Sequence, residues 1–185
     1  MIGFALCGSF CNMEIAFAQL EKLTETEEVL PIMSYNVYNT DTRFGKASDF
    51  IARAEKLCNR KVVHTIPDAE PLGPKTKLDC LCICPCTGNT LAKLSAGICD
   101  TPVTLAAKAH LRNDRPLVLA LASNDSLSLN AENFGRMLAR RNVYFVPLRQ
   151  DDAEKKPRSM VCDFTLLSKT IEMAKQGVQI QPILI

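Results

Sequence analysis

The stretch Leu78–Asp100, LDCLCICPCTGNTLAKLSAGICD, decides how the rest of the chain is read. Cys80-Leu81-Cys82-Ile83-Cys84 is apolar at every position and too short for a helix, the pattern of a parallel strand covered on both faces. Pro85 is expected to stop it. Thr87, Gly88, Asn89 and Thr90 then bring small polar groups, and Leu91, Leu94 and Ile98 follow at helical spacing, with Gly97 as the C-cap. The unit is strand, polar loop, helix. A polar loop at the carboxyl end of a buried strand, feeding a helix N-terminus, offers free backbone N–H groups and is where open α/β sheets bind ligands.

The same unit recurs at the N-terminus. Ile2 to Cys7 is a continuous apolar run that ends at Gly8-Ser9-Phe10-Cys11-Asn12, before Ile15, Ala16, Ala18, Gln19 and Leu23 set a helical period. Gly8 lets a backbone approach a ligand, and the Ser9 hydroxyl with the first helical N–H groups suits a phosphate. Val29–Met33 reads as a further strand, leading into Ser34 and a polar stretch to Thr42. Residues 47–57 read as a helix with Phe50, Ile51, Ala54 and Leu57 on one stripe, and Val62 to Ile66 as another strand. Pro67 to Lys77 is a proline-rich connection. Thr101 and Pro102 mark a strong helix start as N-cap and first helical residue.

Pro116 to Ala122 is a third buried strand ending in a polar cluster, Ser123-Asn124-Asp125-Ser126. Asn130 is expected to cap a helix bearing Phe134, Met137 and Leu138 that stops near Asn142. Val143 to Val146 is the last strand, and a final helix spans about Asp163 to Gln176. Arg149 to Ser159 is charged and without period, the expected mobile segment. Alternating strands and helices imply one three-layer α/β/α, Rossmann-like domain over residues 1–185, with a mostly parallel six-stranded sheet in the order 3-2-1-4-5-6. That order sets the loops after Gly8 and Pro85 on either side of a topological switch point, with the Ser123 loop bordering the same crevice.

Composition narrows the classes. Lys and Arg number 22 against 20 Asp and Glu, so no global field argues for nucleic acid or an anionic membrane. No segment is long and apolar enough to span a bilayer and no export signal precedes Ile2, so the chain reads as cytoplasmic. Nine cysteines, an odd number in a chain of this size, read as reduced thiols. Cys80, Cys82 and Cys84 fit a strand as core residues, and the Cys7 and Cys11 spacing lacks a second pair, so no metal site is expected. Cys86, near a helix N-terminus, is the one thiol with a setting for reactivity, though packing is the preferred reading, and His110, late on a helix, suits a capping cation. Lys108, Arg112 and Arg115 are cations able to meet a dicarboxylate, but a solvated helix end is the preferred reading.

Gly8-Ser9 after the first strand, the core Pro85, Thr87 and Asn89 to Lys93, the Gly97-Ile98-x-Asp100 end and a later strand leading to Asn124 together resemble the homo-oligomeric flavin-containing cysteine decarboxylase family. The resemblance covers nearly the whole chain. Cys86 to Thr90, Ala106-Ala107-Lys108-Ala109, the Asn124-Asp125 turn, Tyr144 to Pro147, Gln150-Asp151-Asp152 and the Gln181-Pro182 tail are most similar to its dipicolinate-forming branch. The resemblance implies an FMN site in which Ser9 and Ser34 contact the phosphate side, Thr87 and Asn89 sit against the flavin and Asn124 faces the substrate as the candidate catalytic residue, with Gly8, Phe10, Pro85, Gly88, Thr90 and Ser123 completing the cofactor-binding set. It implies oxidation of a dihydrodipicolinate-type precursor, a small dicarboxylate, to dipicolinate in the mother cell during sporulation. The partner is a dehydrogenase-like A subunit carrying NAD(P). Two departures bear on this: the histidine of the decarboxylases falls near Pro71 here, and their Pro-x-Met-Asn motif is Leu121-Ala122-Ser123-Asn124. The alternatives are an independent FMN-dependent decarboxylase or prenyl-transfer enzyme, and a non-catalytic flavin-binding partner. The aliphatic tail after Gly177 is expected to reach a neighbouring copy in a trimer or a multiple of trimers.

Overall fold

The computed structural model describes all 185 residues. In chain order the elements are β1 (Ile2–Leu6), α1 (Met13–Thr24), β2 (Val29–Met33), α2 (Tyr35–Asn39), α3 (Ala47–Cys58), α4 (Ile66–Ala69), β3 (Cys80–Cys86), α5 (Gly88–Ala96), α6 (Pro102–Leu111), β4 (Leu117–Ser123), α7 (Ala131–Leu138), β5 (Val143–Phe145), β6 (Leu148–Asp152), β7 (Lys156–Cys162) and α8 (Leu167–Lys175). Strands β2, β1, β3, β4 and β5 pair in parallel in that order. Helices cover both faces, which is why β1 and β3 are buried at every residue and read as unbroken apolar runs. No helix is long and apolar enough to cross a membrane.

The expected strand order therefore holds for five strands, with one change at the β2 edge. Val62 to Ile66 is not a strand: Val63 makes a single parallel bridge to Ile32, and Ile66 already opens α4, capped by Thr65 accepting from the Asp68 N–H. At the other side, Arg149 to Ser159 is not an unpatterned segment. It lies in an antiparallel hairpin, β6 with β7, that joins the sheet through Ala122↔Val161 and Ser123↔Met160. Strand β4 thus changes neighbours along its length, from β5 beside Leu117 to Leu119 to β7 beside Ala122 and Ser123.

Other local readings also shift. Pro85 does not end β3; it sits at the register shift between Ile83 and Cys86, where a missing N–H leaves no ladder bond unmade. The buried stripe of α1 is Met13, Ala16, Phe17, Leu20 and Leu23, while Ile15 and Ala18 face solvent. Ile98 lies past the α5 C-cap and is exposed. Helix α7 ends at Leu138, and Asn142 takes a left-handed turn (φ 62°) into β5. The tail docks partly on its own sheet: Ile180 is buried, the Leu148 N–H donates to the Ile183 carbonyl, and the Ile185 N–H donates to the Leu148 carbonyl, while Val178, Leu184 and Ile185 stay largely exposed.

Helix starts around the crevice are well made. Thr87 caps α5 by accepting from the Thr90 N–H at 3.2 Å, and Thr101 and Thr104 form a reciprocal capping box at α6 with Pro102 in its first turn. Each such cap is worth about 1 kcal/mol and fixes where the preceding loop ends.

Candidate functional site

The loops at the carboxyl ends of β1, β3 and β4 line one open cleft of about 520 Å³. The first contributes Gly8, Ser9, Phe10 and Cys11, the second Thr87, Gly88 and Asn89, the third Ala122, Ser123, Asn124 and Asp125. Arg43 and Phe44, from the segment between α2 and α3, complete the lining, the guanidinium 4.8 Å from the Phe44 ring centroid. A second cavity opens beside it, lined by Ser34, Thr90 and Lys93 among others and sharing Gly8, Thr87 and Asn89 with the first. Beyond Asn124 the crevice continues along the hairpin, where Asp151, Lys156, Ser159 and Met160 line it with Ser9, Cys11, Ser123 and Asn124.

Of the residues singled out from sequence, Gly8, Ser9, Phe10, Thr87, Gly88, Asn89, Ser123 and Asn124 meet in the first cleft, and Ser34 and Thr90 lie in the second. Pro85 does not join them: it is buried within β3 and lines neither cavity. Arg43 and Phe44 escape sequence reading because they stand in a polar stretch with no period. A basic residue next to an aromatic one in the connection between α2 and α3 is the one signal available.

The donors of the crevice are mostly neutral. The Ser9 hydroxyl accepts from Asn12 Nδ2 at 2.9 Å. A helix start leaves amide N–H groups without intrahelical partners, and Gly88 and Asn89 of the first turn of α5 line the cleft. Ser34 Oγ is buried and has no hydrogen-bond partner in the protein. An orphan of that kind costs about 1–3 kcal/mol unless a bound group satisfies it. Lys93 brings the one cation of the second cavity; its ammonium lies 2.8 Å from Asp100 Oδ1 and holds that carboxyl below its ordinary range.

Asp125 organises the third loop. Its carboxylate accepts from the Ser123 hydroxyl and, at 2.7 Å, from Asn130 Nδ2, and its backbone carbonyl accepts from the Ser128 and Asn130 N–H groups. Asn130 holds the N-cap position of α7 as expected, yet its side chain ties down Asp125 rather than capping the helix. Gly88 is required by this packing, since a Cβ there would fall 2.7 Å from both Asn130 Nδ2 and Asp125 Oδ1.

Cys86 takes the packing role preferred for it, not the reactive one. Its thiol is fully buried, and burial pushes it well above the ordinary range, as it does Cys7, to about 11, and Cys80, to about 12. Only Cys11 is exposed and Cys99 half-buried. His110 is not a capping cation. It is buried, its Nε2–H donates to the Pro116 carbonyl at 2.8 Å, and burial lowers its pKa to about 4, so the ring is neutral. Arg115 is spent on the Leu78 carbonyl.

The chain matches the family described as Flavoprotein over residues 9–166. It is 46% identical over 185 residues to the B subunit of dipicolinate synthase from Bacillus subtilis (strain 168), covering 100% of this chain and 92% of that protein. Its fold matches the crystal structure of the B subunit of dipicolinate synthase from Bacillus halodurans C with a TM-score of 0.91 and 42% identity, over 100% of this chain and 95% of that one. A dodecameric FMN-dependent UbiX-like decarboxylase from Escherichia coli O157:H7 matches with a TM-score of 0.62 and 26% identity over 80% of each chain.

Proposed function

The chain belongs to the flavoprotein family, in the group of dipicolinate synthase B subunits, and from that premise we propose that it holds FMN in the crevice above β1, β3 and β4 and works with a dehydrogenase-like A subunit to oxidise a dihydrodipicolinate-type precursor to dipicolinate. The observation that carries the flavin reading is the Ser34 hydroxyl, buried, unpartnered and lining a cavity with Gly8, Thr87 and Asn89. A phosphate oxygen is the kind of acceptor that hydroxyl lacks, and Ser9, Thr87 and the α5 N-terminus supply further neutral donors. The residues present fit FMN. When bound, it supplies a ring that takes up or returns a pair of electrons.

The protein groups at the crevice bind and orient more than they move protons. Asp125 is the sole carboxylate of the first cleft and is committed to Ser123 and Asn130, and no histidine lines any of the three stretches. This supports a division of labour in which the partner subunit, carrying NAD(P), handles the proton, and Asn124, exposed at the junction of cleft and hairpin, orients the substrate. The same observation favours, as a second reading, a flavin-binding partner with no chemistry of its own. The dodecameric relative supports a homo-oligomer built on trimers, and the likeness to a dipicolinate synthase of Bacillus subtilis supports a place in the mother cell of a sporulating bacterium.

Absorption spectra during titration with FMN test the cofactor. Ser9→Glu is expected to abolish binding by setting like charge against the phosphate, and Ser34→Ala to weaken it about tenfold, the worth of one hydrogen bond. Unchanged affinity in both variants removes the phosphate reading. Turnover is then measured for the chain alone and with the A subunit. Activity only in the mixture is expected, and activity in the chain alone sinks the subunit reading.

A further inference from the structure

A cation stands on each flank of the crevice. Arg43 lines the cleft on the α2–α3 side; it is exposed, pairs with no carboxylate and rests over the Phe44 ring. Lys156 lines the hairpin side, its Nζ 2.6 Å from Asp151 Oδ2. Between them the floor is continuous, because Ser9, Cys11, Ser123 and Asn124 border both stretches. Of the phosphate donors argued above, Ser34 and Thr87 line the neighbouring cavity, which has its own cation in Lys93, and Ser9 stands at the cleft's edge with Gly8, so neither Arg43 nor Lys156 is needed for the phosphate.

Resting on the function proposed above, we propose that Arg43 and Lys156 are the two prongs of a carboxylate clamp, each gripping one end of a small planar dicarboxylate laid across the floor of Cys11, Ser123 and Asn124. The floor itself suits a dianion: beside the Ala122 methyl its side chains are hydroxyl, amide and thiol, and the carboxylate next to it, Asp125, is already engaged by Ser123 and Asn130. A guanidinium meets a carboxylate through two parallel N–H donors, and an ammonium carries three, of which Asp151 uses one. The prongs are therefore unequal. Lys156 shares its charge with Asp151, which keeps it in place but lowers its net pull, whereas Arg43 has its full charge to give. Arg43 is the dominant grip and Lys156 sets the length of acid accepted. Both side chains sit on the surface rather than in the core, so their exchange leaves the fold intact.

The test uses the chain loaded with FMN, with the A subunit present, and dipicolinate and picolinate as probes in calorimetric titration. Arg43→Gln is expected to weaken dipicolinate about thirtyfold and Lys156→Gln about fivefold, with Lys156→Arg close to the unaltered protein. Picolinate, with one carboxylate, should respond to one substitution only. FMN affinity should not move in any of them. Bound dipicolinate should also slow alkylation of Cys11 while leaving Cys99 unprotected. Dipicolinate affinity unchanged in both Gln variants, or absent from a chain that binds FMN, overturns the clamp alone. A chain that takes up neither FMN nor dipicolinate overturns the functional reading on which the clamp rests.

Discussion

In β1 and β3 every side chain is buried, and so are the first six of β4, whereas β6 shows Arg149, Gln150 and Asp151 to solvent and β7 opens on exposed Lys156, Pro157 and Arg158. The two regions are hydrogen-bonded to the same strand, yet they are held by different forces. Burial of apolar surface, at roughly 25 cal/mol per Å², holds the parallel strands. Backbone ladders and a short buried foot, Ser159, Met160 and Cys162, hold the hairpin. Stability is concentrated in the first region, which frees the second to carry charged residues over the crevice.

Three changes test that division, from the largest expected effect to the smallest. Ile83 is wholly buried in β3, on a sheet that helices cover from both sides. Ile83→Ala should lower the unfolding free energy by about 2–5 kcal/mol in urea melts, and a loss under about 1 kcal/mol would break the contrast. His110 tests the margin of the core through pH. Burial is the main cause holding its folded pKa at about 4, below the 6.5 of the free ring. The unfolded chain then takes up a proton that the folded chain refuses. The stability this contributes is complete above pH 6.5 and is lost as pH falls towards 4, amounting to about 3 kcal/mol. His110→Gln, which can still donate to the Pro116 carbonyl, should flatten that slope between about pH 6.5 and 4.5; an unaltered slope assigns it elsewhere. Gln150 in β6, whose Nε2 donates to the Pro157 carbonyl at 3.2 Å in solvent, is the opposite extreme. Gln150→Ala should move the urea midpoint by no more than about 0.5 kcal/mol equivalent, and a larger shift would make the hairpin part of the cooperative core.

The same contrast explains what can be read from the amino-acid sequence. Cys80 to Cys84 and Leu117 to Leu121 announce themselves because burial on both faces demands apolar residues without interruption. The order of the five parallel strands follows from the alternation of strands with helices and the switch point it sets between β1 and β3, and the start of α6 at Thr101 and Pro102 from local capping chemistry. The hairpin does not announce itself. The hairpin strands bury only Leu148, Ser159, Met160 and Cys162, one of them polar, too few and too mixed to stand out among charges. Val62 to Ile66 has strand-forming residues, but Thr65 and Pro67 start a helical turn that cuts the ladder to one bridge. In α1, Ile15 suggests a face that tertiary packing leaves in water, because Phe17 stacks on Phe50 from the other. Of the crevice, the three loops are legible from their polar residues after buried strands. Arg43 and Lys156 are not, since what places them is where their loops run, and that depends on elements distant in sequence.

The fork in β4 has a consequence for how such a chain can change. The hairpin meets the parallel sheet at two residue pairs only, Ala122↔Val161 and Ser123↔Met160. Its tip can lengthen, shorten or exchange its charges at little entropic cost, without disturbing the register of the five strands beneath or the hydroxyl-lined cavity at Ser34. The hairpin and the cavity at Ser34 are therefore separately inheritable parts: residues between Arg149 and Arg158, Lys156 among them, can be rewritten while the five-stranded scaffold and the α2–α3 connection that carries Arg43 stay as they are.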